Sequence, residues 1–561
     1  MAKGKTMKKT REIPTDRLVH GGRIYTMDGA GTVAEAMATR GDRILGTGTV
    51  AEMRALLAPG AVEEDLGGAT VIPGLIDAHV HLLWAGQLMA EVQLFDCRTI
   101  QDIVDKVAER VAEVPPGTWV YGRGWDETLL AEGRHPTKHD IDPVSPENPV
   151  VIERVFNRLI ANSLVLEHIG VNRDTPDFDQ GDAYTGYFER DENGDPTGLF
   201  RDAAKGLVLN NIPKLTTEEL AAAILRANRG FSEYGLTAIE EPNLLDHELM
   251  AYKLAMREGE LSVRIDFMIP GYGFLTAMGL PELDHDAVDE RLKQIPYWSG
   301  LGDDMFRLAG LKILPDGGLG DYTAAMFEPY HGDPSTRGAW VIPREDVLKR
   351  VRTAHEHDLA LDCHVCGDAA LEVTVEAIAQ VQEEDPRPWL RHRVHHALLP
   401  TPRALEVMAR HKIPAVISSP FLINRTDGYR ETVGEEMTYR IMPARSYLEA
   451  GVPLASGADT PTADWNPWEG IYALCTRKAL SGWEMDPAER LTPAEALAVY
   501  TTGGAFALGR EEELGSLEPG KKADFVVLET DPHDLTPDEL RRVRPLATMM
   551  GGKYVHDRRG A

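Results

Sequence analysis

Eight short apolar runs, each followed by a stretch of helical periodicity, limit what this chain can fold into more than any other feature. They fall at residues 71–77, 235–240, 263–269, 306–314, 359–364, 393–396, 413–418 and 452–459. Strands that alternate with helices build a parallel sheet covered on both faces. Eight of them predict an α/β fold, a closed (β/α)8 barrel of TIM type. The intervening patterns read as amphipathic helices. Residues 344–351 open one, and Thr401 with Pro402 supplies another with an N-cap and a first-turn proline.

The two chain ends have a different texture. Short β-like runs punctuated by Gly and Asp occupy 17–70, and the same pattern returns at 509–561. Neither set can bury an apolar face alone, so the two are expected to combine into one small β-sandwich beside a barrel spanning 71–508. One gap inside the barrel is out of scale, roughly 150 residues between the first and second runs where a crossover normally needs far fewer. Residues 84–214 carry their own strand and helix patterns and are expected to form an inserted subdomain that walls a substrate pocket. Residues 1–16 are basic and lack an apolar core segment, which predicts a flexible tail rather than a secretion signal.

Composition excludes several functions. The chain has 561 residues, 43% hydrophobic and 26% charged, a profile of a globular protein with a full core. Its net charge of −30, from 59 basic and 89 acidic residues, would repel a phosphate backbone or an anionic bilayer. No apolar run is long enough to span a membrane. A cytoplasmic protein with no nucleic-acid or membrane partner is expected. Four cysteines fit a reducing compartment. Cys363 and Cys366 form a C-x-x-C without a second such pair, and packing is the reading it supports.

In a barrel of this type the chemistry collects at the C-terminal ends of the strands. His79 and His81 stand two residues apart at the end of the first run, on one side of an extended chain, where they could grip one metal ion. The fourth run carries Lys312, the fifth ends in His364, the sixth in His395-His396, and the eighth runs into Asp459. Alone, each has an ordinary structural explanation. Together, imidazoles and a carboxylate converging on one mouth suit a divalent ion such as Zn with room for water. A metal brings the pKa of bound water from ~15.7 to about 7, and Asp459 is placed to take that proton and pass it on. His395 and His396 are adjacent, so on a regular strand they face opposite ways and only one can be a ligand.

Several motifs carry a family resemblance. They are Val71-Ile72-Pro73-Gly74-Leu75-Ile76-Asp77-Ala78-His79-Val80-His81, His364-Val365-Cys366-Gly367-Asp368, His396-Ala397, Ser456-Gly457-Ala458-Asp459-Thr460-Pro461, and Gly515-x-Leu517-x-Pro519-Gly520-Lys521-x-Ala523-Asp524-Phe525. Together they resemble the amidohydrolase superfamily over about 18–555. The inserted Tyr121-Gly122-Arg123-Gly124-Trp125-Asp126-Glu127, Asn162-Ser163 and Pro196-Thr197-Gly198-Leu199, with Lys312 and Asp316-Gly317-Gly318-Leu319-Gly320, narrow the resemblance. They point to the YtcJ-like branch (amidohydrolase 3 type), which includes N-substituted formamide deformylases.

The resemblance implies that His79 and His81 bind one metal, that His364 and His396 bind a second, and that Asp459 binds metal and shuttles the proton. Lys312 falls where binuclear members carry a lysine carboxylated by CO2 as a bridge. Two Zn ions are implied, with Mn, Fe, Co or Ni as substitutes. The family pattern also favours His396 over His395, which replaces an otherwise acidic neighbour. Trp84, Trp125, Asp316, Asp321 and Tyr322 are expected to contact substrate. Two departures matter: Asp321-Tyr322 stands where relatives often have Ser-Arg, and Asn157 where they often have His. Formamide specificity therefore does not carry over.

The expected function is a metal-dependent hydrolase that cleaves a C–N bond of a small organic molecule, an amide, formamide, carbamate or urea-like group, by attack of metal-bound hydroxide. The alternatives are a one-metal deaminase of an amino-heterocycle, against which Lys312 argues, and a barrel serving as a non-catalytic scaffold. A homo-oligomer is expected by analogy.

Overall fold

The structure, a computed structural model, describes residues 15–560 except 126, 128–129, 155–157, 177–186, 260, 274–284 and 295. Most of the basic tail, and Asn157, lie outside the described residues. The chain divides into two compact units, Gly86–Ala223 and the remainder.

Eight parallel strands, β1 (Leu75–Asp77), β2 (Leu236–Glu241), β3 (Arg264–Pro270), β4 (Phe306–Ile313), β5 (Ala360–Val365), β6 (Arg393–His396), β7 (Ala415–Ile417) and β8 (Leu454–Ser456), pair in sequence order. The expected (β/α)8 barrel is present. The seam is drawn together at its C-terminal side, where the Ala78 amide donates to Ser456 O at 3.0 Å and the Asp459 amide to His79 O at 2.8 Å. Helices follow the strands as their capping residues direct. Thr401 accepts from the Ala404 amide at 3.0 Å and Pro402 opens the helix Pro402–His411. Arg344–Asp346 forms a single 3-10 turn before the helix Val347–Glu356.

The first apolar run is not one strand. Thr70–Pro73 belongs to the sheet made by the chain ends and only Leu75–Asp77 to the barrel, with Gly74 between them. A Cβ at Gly74 would lie 2.1 Å from Thr237 Oγ1, so the close crossing of the two sheets requires glycine. Strands from both ends share one hydrogen-bonded sheet. Phe525–Leu528 runs antiparallel to Thr70–Pro73, which in turn meets Asp16–Tyr25, followed outward by Val33–Arg40 and Arg43–Gly48. Val19, Ile24, Met37, Val71, Phe525 and Met549 form its core.

An ionic cluster joins this sheet to the start of β3. Arg264, 1% exposed, forks onto Asp524 at 2.8 and 3.0 Å and also bonds Asp304. Lys522 and Arg510 reach Asp304 at 2.8 Å each. Burial opposes ionisation of Asp304, yet Lys522, Arg264 and Arg510 hold its carboxyl down at about 2. Fork-shaped bonds from Arg fix both direction and distance, which suits a joint between two sheets.

The unit Gly86–Ala223 has a six-stranded sheet of its own, in the order Tyr187–Arg190, Pro196–Arg201, Arg158–Ala161, Val150–Arg154, Val120–Trp125, Val92–Gln93. The helix Ile100–Glu113 starts in a Thr99/Asp102 capping box and buries Ile100, Ile103 and Val107 against it.

At the base of β5 a histidine pair is locked by its hydrogen bonds. His355 Nε2 donates to Asp385 O at 2.8 Å, so its Nδ1 accepts from His392 Nε2 at 2.9 Å. His392 Nδ1 then accepts the Leu361 amide at 3.0 Å, which requires a neutral ring. Burial, and then the neighbouring His355, push His392 down to about 3. An unfolded histidine titrates near ~6.5, so between these values the unfolded chain binds the extra proton and stability falls as pH drops from about 6.5 towards 3. The thermal midpoint of the wild type is expected to fall further between pH 7.5 and pH 5 than that of His392→Gln, measured by circular dichroism. Equal losses would remove His392 from the acid response.

Candidate functional site

The end of β1 is fixed by buried hydrogen bonds. The Asp77 carboxylate accepts the amides of His79 at 3.0 Å and Ala458 at 3.1 and 3.2 Å. Burial pushes Asp77 up to about 8 against those amide bonds. The Val80 amide donates to Glu240 O at 3.0 Å and the His81 amide to Thr460 O at 3.3 Å. Past His81 the helix Leu82–Leu88 begins, and Glu241 from the end of β2 accepts its first amide, Leu82, at 2.5 Å. Groups from β1, from β2 and from the segment after β8 thus tie down the amides of the His79-x-His81 segment.

The side chains converge as follows. His79 Nε2 lies 3.3 Å and His81 Nε2 3.5 Å from Asp459 Oδ1. One nitrogen of His79, one of His396 and an oxygen of Asp459 all lie within 4.8 Å of one another, spacing that a single ion could bridge. His364 packs edge-on to His396 with ring centroids 4.5 Å apart, its Nε2 3.3 Å from Gly317 O and 3.5 Å from Cys366 Sγ. His396 Nδ1 meets Ser418 Oγ at 3.0 Å. Lys312 Nζ donates to Asp362 Oδ1 at 2.7 Å, both groups fully enclosed.

The strand alternation expected at His395-His396 does not hold. His396 has φ of 64° and Ala397 of 44°, so the chain leaves the strand there in the left-handed region. Both imidazoles consequently face His79, with ring centroids 4.6 Å away for His395 and 5.1 Å for His396. His396 joins Asp459, while His395 sits deeper with Asp362 in a second cluster that also contains His79. Asp459 likewise has positive φ, 52°.

The electrostatics favour open lone pairs. Burial first, with help from the Lys312 charge, holds His79 below the usual histidine range and brings His364 down to about 4. Burial and the facing His364 lower His396 as well. Burial alone would raise the Asp459 carboxyl, but its bonds with His79 and His81 hold it well below the ordinary carboxylate range. Neutral imidazoles around one carboxylate are the donor set that a borderline divalent cation accepts.

The five expected substrate contacts have different surroundings. Trp84 stacks on His81 with centroids 4.2 Å apart. Trp125 is fully buried in the core of the Gly86–Ala223 unit. Asp316 is enclosed, pushed up to about 7 by burial, and its oxygens accept the amides of Ala325, Cys366 and Gly367, so it braces loops. Asp321 is exposed, and Tyr322, with φ of 60°, packs its ring against Tyr330. Cys363 and Cys366 are buried thiols, raised by that burial.

Sequence reasoning missed Asp362, Glu240 and Arg393. One signal was available: Asp362 stands two residues before His364 on the same strand and so shares its face. Arg393 bonds Glu240, and both are fully buried inside the barrel.

A parallel (β/α)8 barrel with a histidine and carboxylate cluster at its C-terminal mouth is the architecture of metal-dependent hydrolases. The amidohydrolase family pattern matches residues 62–556. YtcJ of Bacillus subtilis is 29% identical over 549 residues, covering 96% of this chain and 99% of its own. The N-substituted formamide deformylase of Arthrobacter pascens is 27% identical over 558 residues, covering 97% and 99%. The crystal structure of an uncharacterized metal-dependent hydrolase from Pyrococcus horikoshii shares the fold, with a TM-score of 0.75 at 24% identity over 93% of this chain and 99% of that one. The chain belongs to the amidohydrolase family, in the branch of YtcJ and the formamide deformylases, and is a hydrolase acting on C–N bonds. Among the described residues no helix is long and apolar enough to cross a membrane.

Gly457 presses directly on the backbone of His79. A Cβ there would lie 2.5 Å from His79 N, 2.6 Å from His79 Cβ and 2.7 Å from His79 O. Gly457→Ala is expected to fold but to displace His79 and lower bound divalent metal about tenfold or more, measured by elemental analysis alongside circular dichroism. Unchanged metal content would show that the seam has slack.

Proposed function

We propose that this protein hydrolyses an amide, formamide, carbamate or urea-like C–N bond of a small organic molecule at a metal centre held by His79, His81, His396 and Asp459. The observation that carries the reading is the approach of His79, His396 and Asp459 donor atoms to within 4.8 Å of one another at the barrel mouth. His364, beside His396, is the residue that would extend the set towards a second ion. A bound divalent ion such as Zn would supply Lewis acidity, lowering the pKa of water and polarising the scissile carbonyl.

The protein's own groups supply the rest. Asp459, whose carboxyl is held well below the ordinary carboxylate range, is an anion at neutral pH and can accept a proton from the attacking water and deliver it to the departing nitrogen. Trp84, stacked on His81, fixes that ring and gives an apolar wall next to it. The buried Asp77 and Glu241 hold the backbone of the His79–Leu82 segment so that neither imidazole has to reorganise.

One observation favours a second reading, a one-metal deaminase of an amino-heterocycle. Lys312 Nζ donates to Asp362 as an ammonium would, and a carboxylated Lys312 bridging two ions would set an anion against that buried carboxylate. Elemental analysis separates the two: two ions per chain support the bridged site, one supports the deaminase. A panel of N-acyl, N-formyl, carbamate, urea and amino-heterocycle compounds, read by product mass, then identifies the bond. Asp459→Asn is expected to lower kcat/KM on the substrate so found by about 100-fold or more. Full activity in that variant would remove the proton-shuttle role, and no turnover of any compound by the metal-loaded protein would remove the hydrolase reading.

A further inference from the structure

Beneath the mouth, a chain of buried polar groups runs down the inside of the barrel from the back of His79. Its Nε2 faces Asp459, while its Nδ1 is hydrogen-bonded to His395 Nδ1. The opposite nitrogen of His395, Nε2, lies 3.3 Å from Asp362 Oδ1 and 3.5 Å from Glu240 Oε1. Asp362 is bonded to Lys312, and Glu240 to Arg393. His395, Asp362 and Glu240 are completely buried. Among the described residues His395 Nε2, Asp362 Oδ2 and Glu240 Oε1 have no hydrogen bond of good geometry; His395 Nε2 faces Glu240 Oε1 across this gap, and Asp362 Oδ2 lies 4.0 Å from His79 Nδ1.

Hydrogen-bond logic fixes the protons. A His79 that offers the Nε2 lone pair outward carries its proton on Nδ1 and donates it to His395. His395 must then accept at Nδ1 and carry its own proton on Nε2, the atom that faces two carboxylates. Lys312 and Arg393 balance those carboxylates, which leaves the ring neutral between them. An outer partner of this kind fixes the tautomer and direction of a metal-facing imidazole and raises its basicity. In most such chains a carboxylate or a carbonyl fills the position directly.

We infer that His395 is a positioning residue for metal binding: through His79 Nδ1 it locks the His79 tautomer, and Asp362 with Glu240 holds His395 in its own. The inference rests on the metal-centre reading above. It assigns a role to a histidine that strand alternation would have sent to the opposite face, and it makes Lys312 the counter-ion of Asp362.

Two nearly isosteric replacements separate polarity from packing. Asparagine places an oxygen where His395 Nδ1 stands and can still accept from His79, whereas leucine has the same shape and no acceptor. Zn2+ affinity would be measured by chelator competition for the wild type, His395→Leu and His395→Asn, and the ligand field by the visible spectrum of the Co2+ form. His395→Leu is expected to bind Zn2+ 10- to 100-fold more weakly. His395→Asn should stay within about threefold of wild type with an unchanged Co2+ spectrum. Wild-type affinity in His395→Leu would overturn the inference. So would an equal loss in both variants with an altered Co2+ spectrum, since that outcome makes His395 a direct ligand. A wild type that binds no divalent metal would overturn the metal-centre reading together with it, so the two failures are distinguishable. If His395→Leu does not fold, nitrogen NMR of 15N-histidine-labelled wild type decides: Nδ1–H on His79 with Nε2–H on His395 sustains the inference, and the opposite tautomers refute it.

Discussion

Charge balance inside the barrel is the constraint on which the site depends. Lys312 with Asp362 and Arg393 with Glu240 place two cations and two anions where water does not reach. Each ion taken from water costs several kcal/mol even after relaxation, and a buried ion left without its partner is worse still. The four side chains come from β4, β5, β6 and β2, so the balance closes only when those strands are in register. Register, charge neutrality and the floor under His79 are therefore one condition. Such a floor is also rigid, because a fully enclosed ion pair cannot move without exposing a charge to apolar surroundings.

The seam between β1 and β8 transmits this order to the chemistry. Gly74 allows the chain to pass from the terminal sheet into the barrel against Thr237, and Gly457 lets the end of β8 press on His79. At both points the missing side chain matters more than any contact. Between them Asp77 ties the amides of His79 and Ala458, so the two halves of the proposed ligand set, one from each end of the barrel sequence, are fixed to each other through a single carboxylate.

The barrel was legible in the sequence because each strand is a short apolar run bounded by turns, and its interior demands that composition. Most boundaries shifted by one to three residues, as hydrogen bonding rather than hydropathy sets them. The first run was misread as continuous because Pro73-Gly74 breaks a strand without breaking its apolar character. His79, His81, His364 and Asp459 stood out as polar groups ending apolar runs. Asp362, Glu240 and Arg393 did not, since charges within strands ordinarily mark a solvent face, and only the three-dimensional pairing shows that they face inward. Local backbone conformation was equally hidden: nothing in the dipeptide His395-His396 announces a left-handed φ, yet that angle brings both rings to one side. Trp125 illustrates the reverse case, an aromatic in a conspicuous motif that fills a core.

The shared terminal sheet has a consequence for synthesis. Thr70–Pro73, which leads directly into β1, has Phe525–Leu528 as its antiparallel neighbour, a strand that leaves the ribosome more than four hundred residues later. Until then one edge of Thr70–Pro73 is unpaired, and Arg264 waits for Asp524 with its charge unmatched by that carboxylate. Nascent chains of this protein must therefore carry an unfinished edge through most of their translation, the condition in which strand edges pair wrongly. A prematurely ended chain therefore lacks the neighbour of the strand that leads into β1 as well as its last residues.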